Sequence, residues 1–216
     1  MNLPNKLTIC RMILVLIIML IPIIDGVIGI PGEFLGITIS FWIMNIIFII
    51  ASITDKLDGS IARRTNQVTT FGKFLDPIAD KVLILASLII LVEYKKIPSW
   101  IPIIILIREF AVSGYRLIAV EKGGKVVAAS VWGKLKTVTQ IIAIILCFID
   151  KFSFGNFIFR VSSMEKMTVS SVAIYMNPLQ FTINILSTMF IILAVIATIF
   201  SGIDYLKNSK ELLSEK

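Results

Sequence analysis

Four aspartates lie close together in a chain that is otherwise rich in apolar residues. A carboxylate placed deep in a hydrocarbon span costs about 2.5 to 3.5 kcal/mol, so four of them require compensation by cations, water or shallow placement. Hard oxygen ligands select Mg²⁺ or Mn²⁺ over zinc, and two such ions about 3.5 to 4 Å apart are a common clamp for displacement at phosphorus. The cluster therefore predicts metal-dependent phosphorus chemistry. It reads Asp55-x2-Asp58-Gly59-x2-Ala62-Arg63-x8-Gly72-x3-Asp76-x3-Asp80.

The spacing within this cluster is helical. At 3.6 residues per turn, the first two aspartates fall on one narrow stripe together with Gly59 and Ala62. The last two, Asp76 and Asp80, are likewise one turn apart on the next predicted helix. Two facing helices can therefore direct all four carboxylates toward one point. Because Gly59 and Ala62 add almost no side chain to that stripe, they leave room for a flat or bulky ligand beside the carboxylates.

Simpler roles account for some of these residues taken singly. Asp76 followed by Pro77 would be an ordinary helix N-cap with proline at the first helical position. Asp80 lies a turn further into the helix, where a capping role does not reach. Arg63 and Arg64 are also placed as routine cytoplasmic anchors, and we assign that role to Arg64. A purely structural role for all four aspartates is disfavoured.

The composition predicts an all-α polytopic membrane protein. Of 216 residues, 57% are hydrophobic, and a mean hydropathy of +0.94 is too high for a soluble domain of this size. Several apolar runs approach the roughly 20 residues that a helix needs to cross a bilayer. We expect six transmembrane helices in one bundle and a single domain over residues 1–216. The predicted spans are 8–24, 39–62, 74–91, 97–120, 138–154 and 179–203.

Basic residues predict the orientation of this bundle. With both termini in the cytoplasm, the cytoplasmic side holds Arg63, Lys73 and Lys122 among many others, while the outer loops hold fewer, such as Lys95 and Lys151. The aspartate cluster then faces the cytoplasm. The same asymmetry explains most of the net charge of +7, so no nucleic-acid partner is required. Attraction to anionic membrane lipids is a secondary effect of this charge.

At these residues the chain resembles a known family. The run from Asp55 to Asp80 matches every fixed position of the signature of the CDP-alcohol phosphatidyltransferases. The segment Pro4-Asn5-x2-Thr8-x2-Arg11 is similar to the amino-terminal stretch of their bacterial members. The resemblance implies six transmembrane helices in the bacterial cytoplasmic membrane, a homodimer, and two divalent ions held by the four aspartates. It also implies transfer of a phosphatidyl group from CDP-diacylglycerol, with release of CMP.

The resemblance also implies roles for individual residues. Asp55, Asp58 and Asp76 would be metal ligands, while Asp80 would complete the metal site and take the proton from the acceptor hydroxyl. Metal ions assist such a base because they acidify a nearby hydroxyl and neutralise charge on the leaving phosphate. Arg63 would pair with the phosphates of the nucleotide. The residues expected around the CDP moiety are Gly59, Ala62, Arg63, Gly72, Asn5 and Thr8.

The chain contains no histidine. An imidazole general base is therefore excluded, as is the histidine-dependent phospholipase D route to similar phosphatidyl exchange. Carboxylates and metal ions are the machinery that the sequence offers for this chemistry.

A second group of charged residues bears on the acceptor alcohol. Arg108 lies inside an otherwise apolar run, and a phosphorylated acceptor would require such cations, whereas serine or a neutral polyol would require them less. Alternatively, Arg108 pairs with Glu109 or Asp80 while the lysines anchor a loop, which is the reading we prefer for Lys122 and Lys125. The residues predicted to bind the acceptor phosphate are Arg108, Arg116, Lys134 and Lys136.

Two segments of the chain resemble family members whose acceptor alcohol is known. They are Arg108-Glu109-Phe110-x-Val112-Ser113-Gly114-x-Arg116-Leu117 and Ala128-Ala129-Ser130-x2-Gly133-Lys134-x-Lys136-Thr137. Both are similar to the bacterial members of the family that use glycerol 3-phosphate. The resemblance therefore implies glycerol 3-phosphate as the acceptor, with serine, inositol phosphate or phosphatidylglycerol as alternatives within the same chemistry.

Acidic residues within a membrane also mark ion pathways in transporters. Those residues are expected nearer the midplane and in a chain with an inverted repeat, and neither feature is evident here.

Residues of about 1–10 are expected to lie along the membrane interface. Residues of about 151–177 form an outer loop longer than is usual in the family, to which we assign no function.

Overall fold

The computed structural model describes residues 3–65, 70–121, 131–156 and 178–208, with side chains described at 6–54, 78–115, 131–156 and 178–207. Within these residues the chain forms six helices, as expected. They are α1 (Leu3–Ile28), α2 (Ile39–Thr65), α3 (Thr70–Glu93), α4 (Trp100–Glu121), α5 (Val131–Ile149) and α6 (Pro178–Asn208). Pro178 stands at the first position of α6, where its missing N–H costs no intrahelical hydrogen bond.

A short hairpin between α1 and α2 departs from the all-α prediction. Strands β1 (Glu33–Phe34) and β2 (Ile37–Thr38) pair antiparallel. The turn residues Leu35 and Gly36 have φ of 56° and 76°. Two positive φ values are typical of the turn that best matches strand twist in a two-residue hairpin. The hairpin was not predicted because leucine rarely adopts this conformation.

The helices bury one apolar face and leave another exposed. In α1, Val15, Ile18 and Ile21 are buried at helical spacing, whereas Leu16 and Ile23 are 59% and 62% exposed. Helices that are apolar on all sides belong to large cores or membrane spans, and within the described residues these outer faces are left uncovered. This distribution of apolar surface is that of a membrane protein.

Three helices are long and apolar enough to cross a bilayer by length and composition. Among the described residues these segments are Lys6–Ile28 of α1, Val131–Ile149 of α5 and Pro178–Lys207 of α6, and α2 adds a shorter apolar segment, Ile39–Thr54. Helices α3 and α4 contain 24 and 22 residues. At 1.5 Å per residue they extend about 36 and 33 Å, which exceeds the hydrocarbon thickness of about 30 Å.

The helix packing places α5 and α6 side by side and sets α1 against both α2 and α3. Helix α4 packs against α6 and α3, and α2 packs against α5. Phe48 of α2 and Phe148 of α5 are fully buried with ring centroids 6.3 Å apart. The part of α3 around Asp80 is thereby brought next to α4 and α5.

The predicted boundaries of the fifth span are wrong. The span was predicted over 138–154, but α5 begins at Val131 and ends at Ile149. Lys134 and Lys136 therefore belong to the first turns of this helix and not to the preceding loop. The chain leaves the helix at Asp150, whose carboxylate accepts a hydrogen bond of 2.9 Å from the backbone N–H of Phe152.

A buried polar cluster ties the end of α5 to α6. The Asp150 carboxylate accepts hydrogen bonds from Asn184, at 2.8 Å, and from Ser187. Asp150 is 2% exposed, and burial raises the pKa of its carboxyl, although these hydrogen bonds and the charge of Lys96 act in the opposite direction. Burial likewise lowers the pKa of Lys96, whose ammonium donates to the Asp150 carbonyl.

The interfacial position of the first ten residues stays a prediction. Residues 3–10 are the first turns of α1 and continue into the span without a break. Most of the predicted outer loop, residues 157–177, lies outside the described residues.

Candidate functional site

The aspartate cluster occupies two helices that pack against each other. Asp55 and Asp58 belong to α2, whereas Asp76 and Asp80 belong to α3, and only residues 66–69 separate the two helices. The helical placement predicted from the spacing is therefore confirmed for all four. The four-aspartate metal site remains a prediction, since Asp80 alone among them has a described side chain.

Several predicted ligand-binding positions also lie on described helices with their side-chain surroundings outside the described residues. On α2 and α3 these are Gly59, Ala62, Arg63 and Gly72, and on α1 and α4 they are Asn5 and Arg116. Thr8 of α1 is 1% exposed.

Asp80 borders a small polar cavity formed by α3, α4 and α5. Besides Asp80, its polar lining includes Lys81, Glu109, Lys136 and Gln140. The cavity has a volume of about 30 Å³. That is enough for about two water molecules, so a small polar ligand would have to widen it. Two carboxylates and two lysines thus line one polar space inside an apolar bundle.

Glu109 connects two of the residues that were predicted to bind the acceptor phosphate. Its Oε1 atom accepts a 3.1 Å hydrogen bond from Nη1 of Arg108 and forms an ion pair with Nζ of Lys136. The side chains of Arg108, Glu109 and Lys136 are only 15%, 16% and 7% exposed. One carboxylate oxygen therefore bridges two largely buried cations on different helices.

Helix α6 holds the other end of the Arg108 guanidinium. Its Nη2 donates to the hydroxyl of Ser201, which is 1% exposed. The next residue is Gly202, where an added Cβ would lie 3.4 Å from Cγ of Arg108. Glycine at this position lets the arginine stem pass close to the α6 backbone. The guanidinium is consequently fixed between α4 and α6.

A second polar link fixes α3 against α4. Lys81 donates to the hydroxyl of Ser113, and that hydroxyl donates to the backbone carbonyl of Glu109 at 2.7 Å. On the next helix pair, Gln140 of α5 donates to Thr198 of α6 at 3.2 Å. These links position the cavity walls relative to one another.

The predicted acceptor residues thus have different outcomes. Arg108 and Lys136 are brought together through Glu109, and the Arg108–Glu109 pairing considered from the sequence is confirmed. Lys136 is buried by tertiary contacts and does not anchor a loop. Lys134, two residues earlier on α5, is exposed.

Sequence reasoning missed four participants of this site. It considered Glu109 only as a partner of Arg108, and it assigned no role to Lys81, Ser113 or Ser201. The charge of Glu109 inside an apolar run was an available signal, because ionisable residues at such positions are rarely without function. The serines gave no comparable signal, since their roles depend on which helices pack together.

Chemically, the arrangement suits an anionic substrate. Lys81 and Lys136 line the polar space, Arg108 contacts Glu109 at its wall, and Asp80 offers an acceptor for a proton. Cations bind phosphate oxygens by charge-assisted hydrogen bonds, while a nearby carboxylate can serve as a general base.

Comparisons with known proteins agree with this chemistry. A family model described as CDP-alcohol phosphatidyltransferase matches residues 1–201. The CDP-diacylglycerol--glycerol-3-phosphate 3-phosphatidyltransferase of Bacillus subtilis is 50% identical over 146 residues, which is 66% of this chain and 74% of that protein. The Haemophilus influenzae protein of the same name is 41% identical over 147 residues, covering 66% and 73%.

A third relative covers more of the chain. A probable phosphatidylglycerophosphate synthase of Mycobacterium tuberculosis is 31% identical over 208 residues, which is 96% of this chain and 81% of that protein. The family model and these relatives together extend over all six helices. The chain belongs to the CDP-alcohol phosphatidyltransferase family.

Proposed function

We propose that this protein transfers a phosphatidyl group from CDP-diacylglycerol to sn-glycerol 3-phosphate, giving phosphatidylglycerol phosphate and CMP. The observation that carries the proposal is the convergence of Arg108 and Lys136 beside the cavity that Asp80 borders. Two largely buried cations, one of which lines the cavity together with Asp80, suit an acceptor that carries both a phosphate and a reacting hydroxyl. The names of the relatives support the same donor and acceptor.

In the proposed reaction, Arg108 and Lys136 hold the phosphate of glycerol 3-phosphate. The terminal hydroxyl oxygen of the acceptor then forms a bond to the phosphorus that carries diacylglycerol, and the bond from this phosphorus to the oxygen of CMP breaks. Asp80 takes the hydroxyl proton. General-base assistance of this kind contributes about 10²- to 10⁴-fold to the rate.

The donor set fits a pair of divalent ions. Asp55, Asp58, Asp76 and Asp80 supply only carboxylate oxygens, from two packed helices and at spacings of about one turn, which matches the preference of Mg²⁺ or Mn²⁺ for hard ligands. We propose that these residues hold two ions. When bound, the ions neutralise charge on the departing phosphate and lower the pKa of the acceptor hydroxyl.

The nucleotide would lie along the same stretch of α2 and α3. We propose that Arg63 pairs with the phosphates of the CDP moiety and that the small residues of the motif leave room for the nucleotide. The full set proposed for this role is Gly59, Ala62, Arg63, Gly72, Asn5 and Thr8.

All six helices are proposed to cross the bacterial cytoplasmic membrane, with the active site facing the cytoplasm. Helix lengths support this topology, as does the excess of basic residues on the predicted cytoplasmic side. A homodimer is proposed from the resemblance to the family. Membership of a transferase family favours phosphatidyl transfer over the ion-coupled transporter considered from the sequence.

Release of CMP by purified protein in detergent tests the proposal. CDP-diacylglycerol and Mg²⁺ would be supplied with glycerol 3-phosphate, serine or phosphatidylglycerol in separate reactions. We expect CMP and phosphatidylglycerol phosphate with glycerol 3-phosphate alone. Use of serine or phosphatidylglycerol at a comparable rate would overturn the acceptor assignment, and no CMP release with any acceptor would overturn the enzyme assignment.

A further inference from the structure

We propose that Glu109 is a positioning residue that assembles the binding site for the acceptor phosphate. Its carboxylate holds Lys136 of α5 and Arg108 of α4 at one point beside Asp80. This inference rests on the proposed function, because it assumes that the two cations receive a phosphate.

The Glu109 carboxylate lies between two positively charged side chains. Lys136 and Arg108 both contact Oε1 of Glu109, so two like charges are held close together in a largely buried setting. Two such cations repel each other strongly where the dielectric constant is low. The carboxylate between them offsets that repulsion. Without it, the flexible lysine would turn away from the arginine.

Contacts from neighbouring helices hold Glu109 in place. Its backbone carbonyl accepts a hydrogen bond from Ser113, whose hydroxyl in turn is contacted by Lys81 of α3. Its two cationic partners come from its own helix and from α5, and Ser201 of α6 fixes Arg108 from the far side. Glu109 thus links α4 to α5 through its ion pair with Lys136, and contacts from α3 and α6 support this arrangement.

The cavity lining indicates the side from which the acceptor phosphate would reach Lys136. Lys136, Glu109 and Asp80 all line the small polar cavity. The Lys136 ammonium has three N–H donors, of which one is directed at Glu109. The others can meet a phosphate that enters from the Asp80 side, where the acceptor hydroxyl has to lie. Glu109 itself would repel the phosphate and need not touch it, so its effect operates through Lys136 and Arg108.

Kinetics of four variants test the inference against a merely structural role. Glu109→Gln removes the charge with little change of shape, Glu109→Asp keeps it on a shorter side chain, and Lys136→Met removes one partner. The fourth combines Glu109→Gln with Lys136→Met. Glu93→Gln is the matched control, because Glu93 is an exposed residue at the opposite end of α3. The acceptor KM, donor KM and kcat are measured for each.

We expect Glu109→Gln to raise the KM for glycerol 3-phosphate roughly ten-fold or more, with the donor KM changed less than about two-fold. Glu109→Asp should restore part of the affinity. The double variant should resemble Lys136→Met alone, since the carboxylate would then have less to position. Glu93→Gln should behave as wild type.

Other outcomes would overturn the inference. One is an unchanged acceptor KM in Glu109→Gln, and another is an equal change of donor and acceptor KM. A third is a double variant whose defects multiply. Should Glu109→Gln not fold in detergent, Glu109→Asp decides, because an equal rise of the donor and acceptor KM in that variant would contradict the inference. Failure of the proposed function is separate, since wild-type protein would then form no phosphatidylglycerol phosphate from glycerol 3-phosphate.

Discussion

The guanidinium of Arg108 on α4 donates a hydrogen bond to the hydroxyl of Ser201 on α6, although the two residues are 93 positions apart in the chain. This contact restrains the guanidinium beside Glu109, which lines the polar cavity. A helix that carries none of the predicted ligands thus restrains a residue proposed to bind the acceptor.

Removing this hydroxyl should weaken acceptor binding. Ser201→Ala takes away one hydrogen bond to a charged group and should cost about 1.5 kcal/mol, or roughly ten-fold in the KM for glycerol 3-phosphate. The donor KM should stay near wild type. Ser87→Ala is the control, because Ser87 is equally buried but donates to a carbonyl of its own helix. Equal effects of the two variants would show that Ser201 acts only on stability.

The metal site and the base can be separated by one variant. Asp80→Asn removes the proton acceptor but keeps an oxygen ligand, so kcat should fall about 10²- to 10⁴-fold while much of the Mg²⁺ affinity remains. Isothermal titration of Mg²⁺ and single-turnover rates would measure the two effects. In wild type, excess EDTA should abolish turnover and added Mg²⁺ or Mn²⁺ should restore it. A near-wild-type rate in Asp80→Asn would contradict its role as base.

Donor binding should depend on the small residues of α2. Gly59→Leu places a large side chain where the nucleotide is proposed to lie, so the KM for CDP-diacylglycerol should rise at least ten-fold. Leucine favours a helix more than glycine does, so a folding defect is not expected. Gly26→Leu is the matched control, since an added Cβ there meets no atom within 4 Å. An unchanged donor KM in Gly59→Leu would place this face away from the nucleotide.

The buried Asp150 should make stability depend on pH. Its folded-state pKa is raised by burial, so the folded protein binds the proton more tightly than the unfolded chain does. The contribution of this group is therefore largest below its ordinary pKa of about 4, and it is lost as pH rises through the raised pKa. Melting temperatures of wild type and Asp150→Asn in detergent, compared across this range, would measure it.

We expect the stability of wild type relative to Asp150→Asn to decrease as pH rises through that window. Asparagine does not titrate, so the variant removes this component of the pH dependence while keeping a polar side chain for Asn184 and Ser187. Parallel curves for the two proteins would show that Asp150 has no raised pKa.

Much of this architecture could be predicted from the sequence, and the exceptions have physical causes. Long apolar runs indicated all six helices, because a helix face that is buried and one that meets lipid both require apolar side chains. The start of α5 was misplaced because the span was predicted to begin after Lys136, and the burial of that lysine depends on a partner, Glu109, on another helix. The hairpin escaped prediction because Leu35 occupies a conformation that local preference disfavours.

For the candidate site, the spacing of the aspartates predicted their helices correctly because helical periodicity is a local property. The network around Glu109 could not be predicted in the same way. It depends on the relative rotation of α4, α5 and α6, which places Lys136, Glu109 and Ser201 within contact of Arg108 or of each other. No pattern along the chain reports that rotation.

The dependence of Arg108 on α6 has a consequence for biosynthesis. Ser201 and Gly202 lie in α6, downstream of every residue that is proposed to bind substrate or metal, so during translation they leave the ribosome after those residues. A chain shortened before α6 would carry the whole aspartate motif, yet its arginine would lack this restraint. Prematurely terminated copies in the membrane should therefore be poor catalysts, and full activity would require insertion of α6.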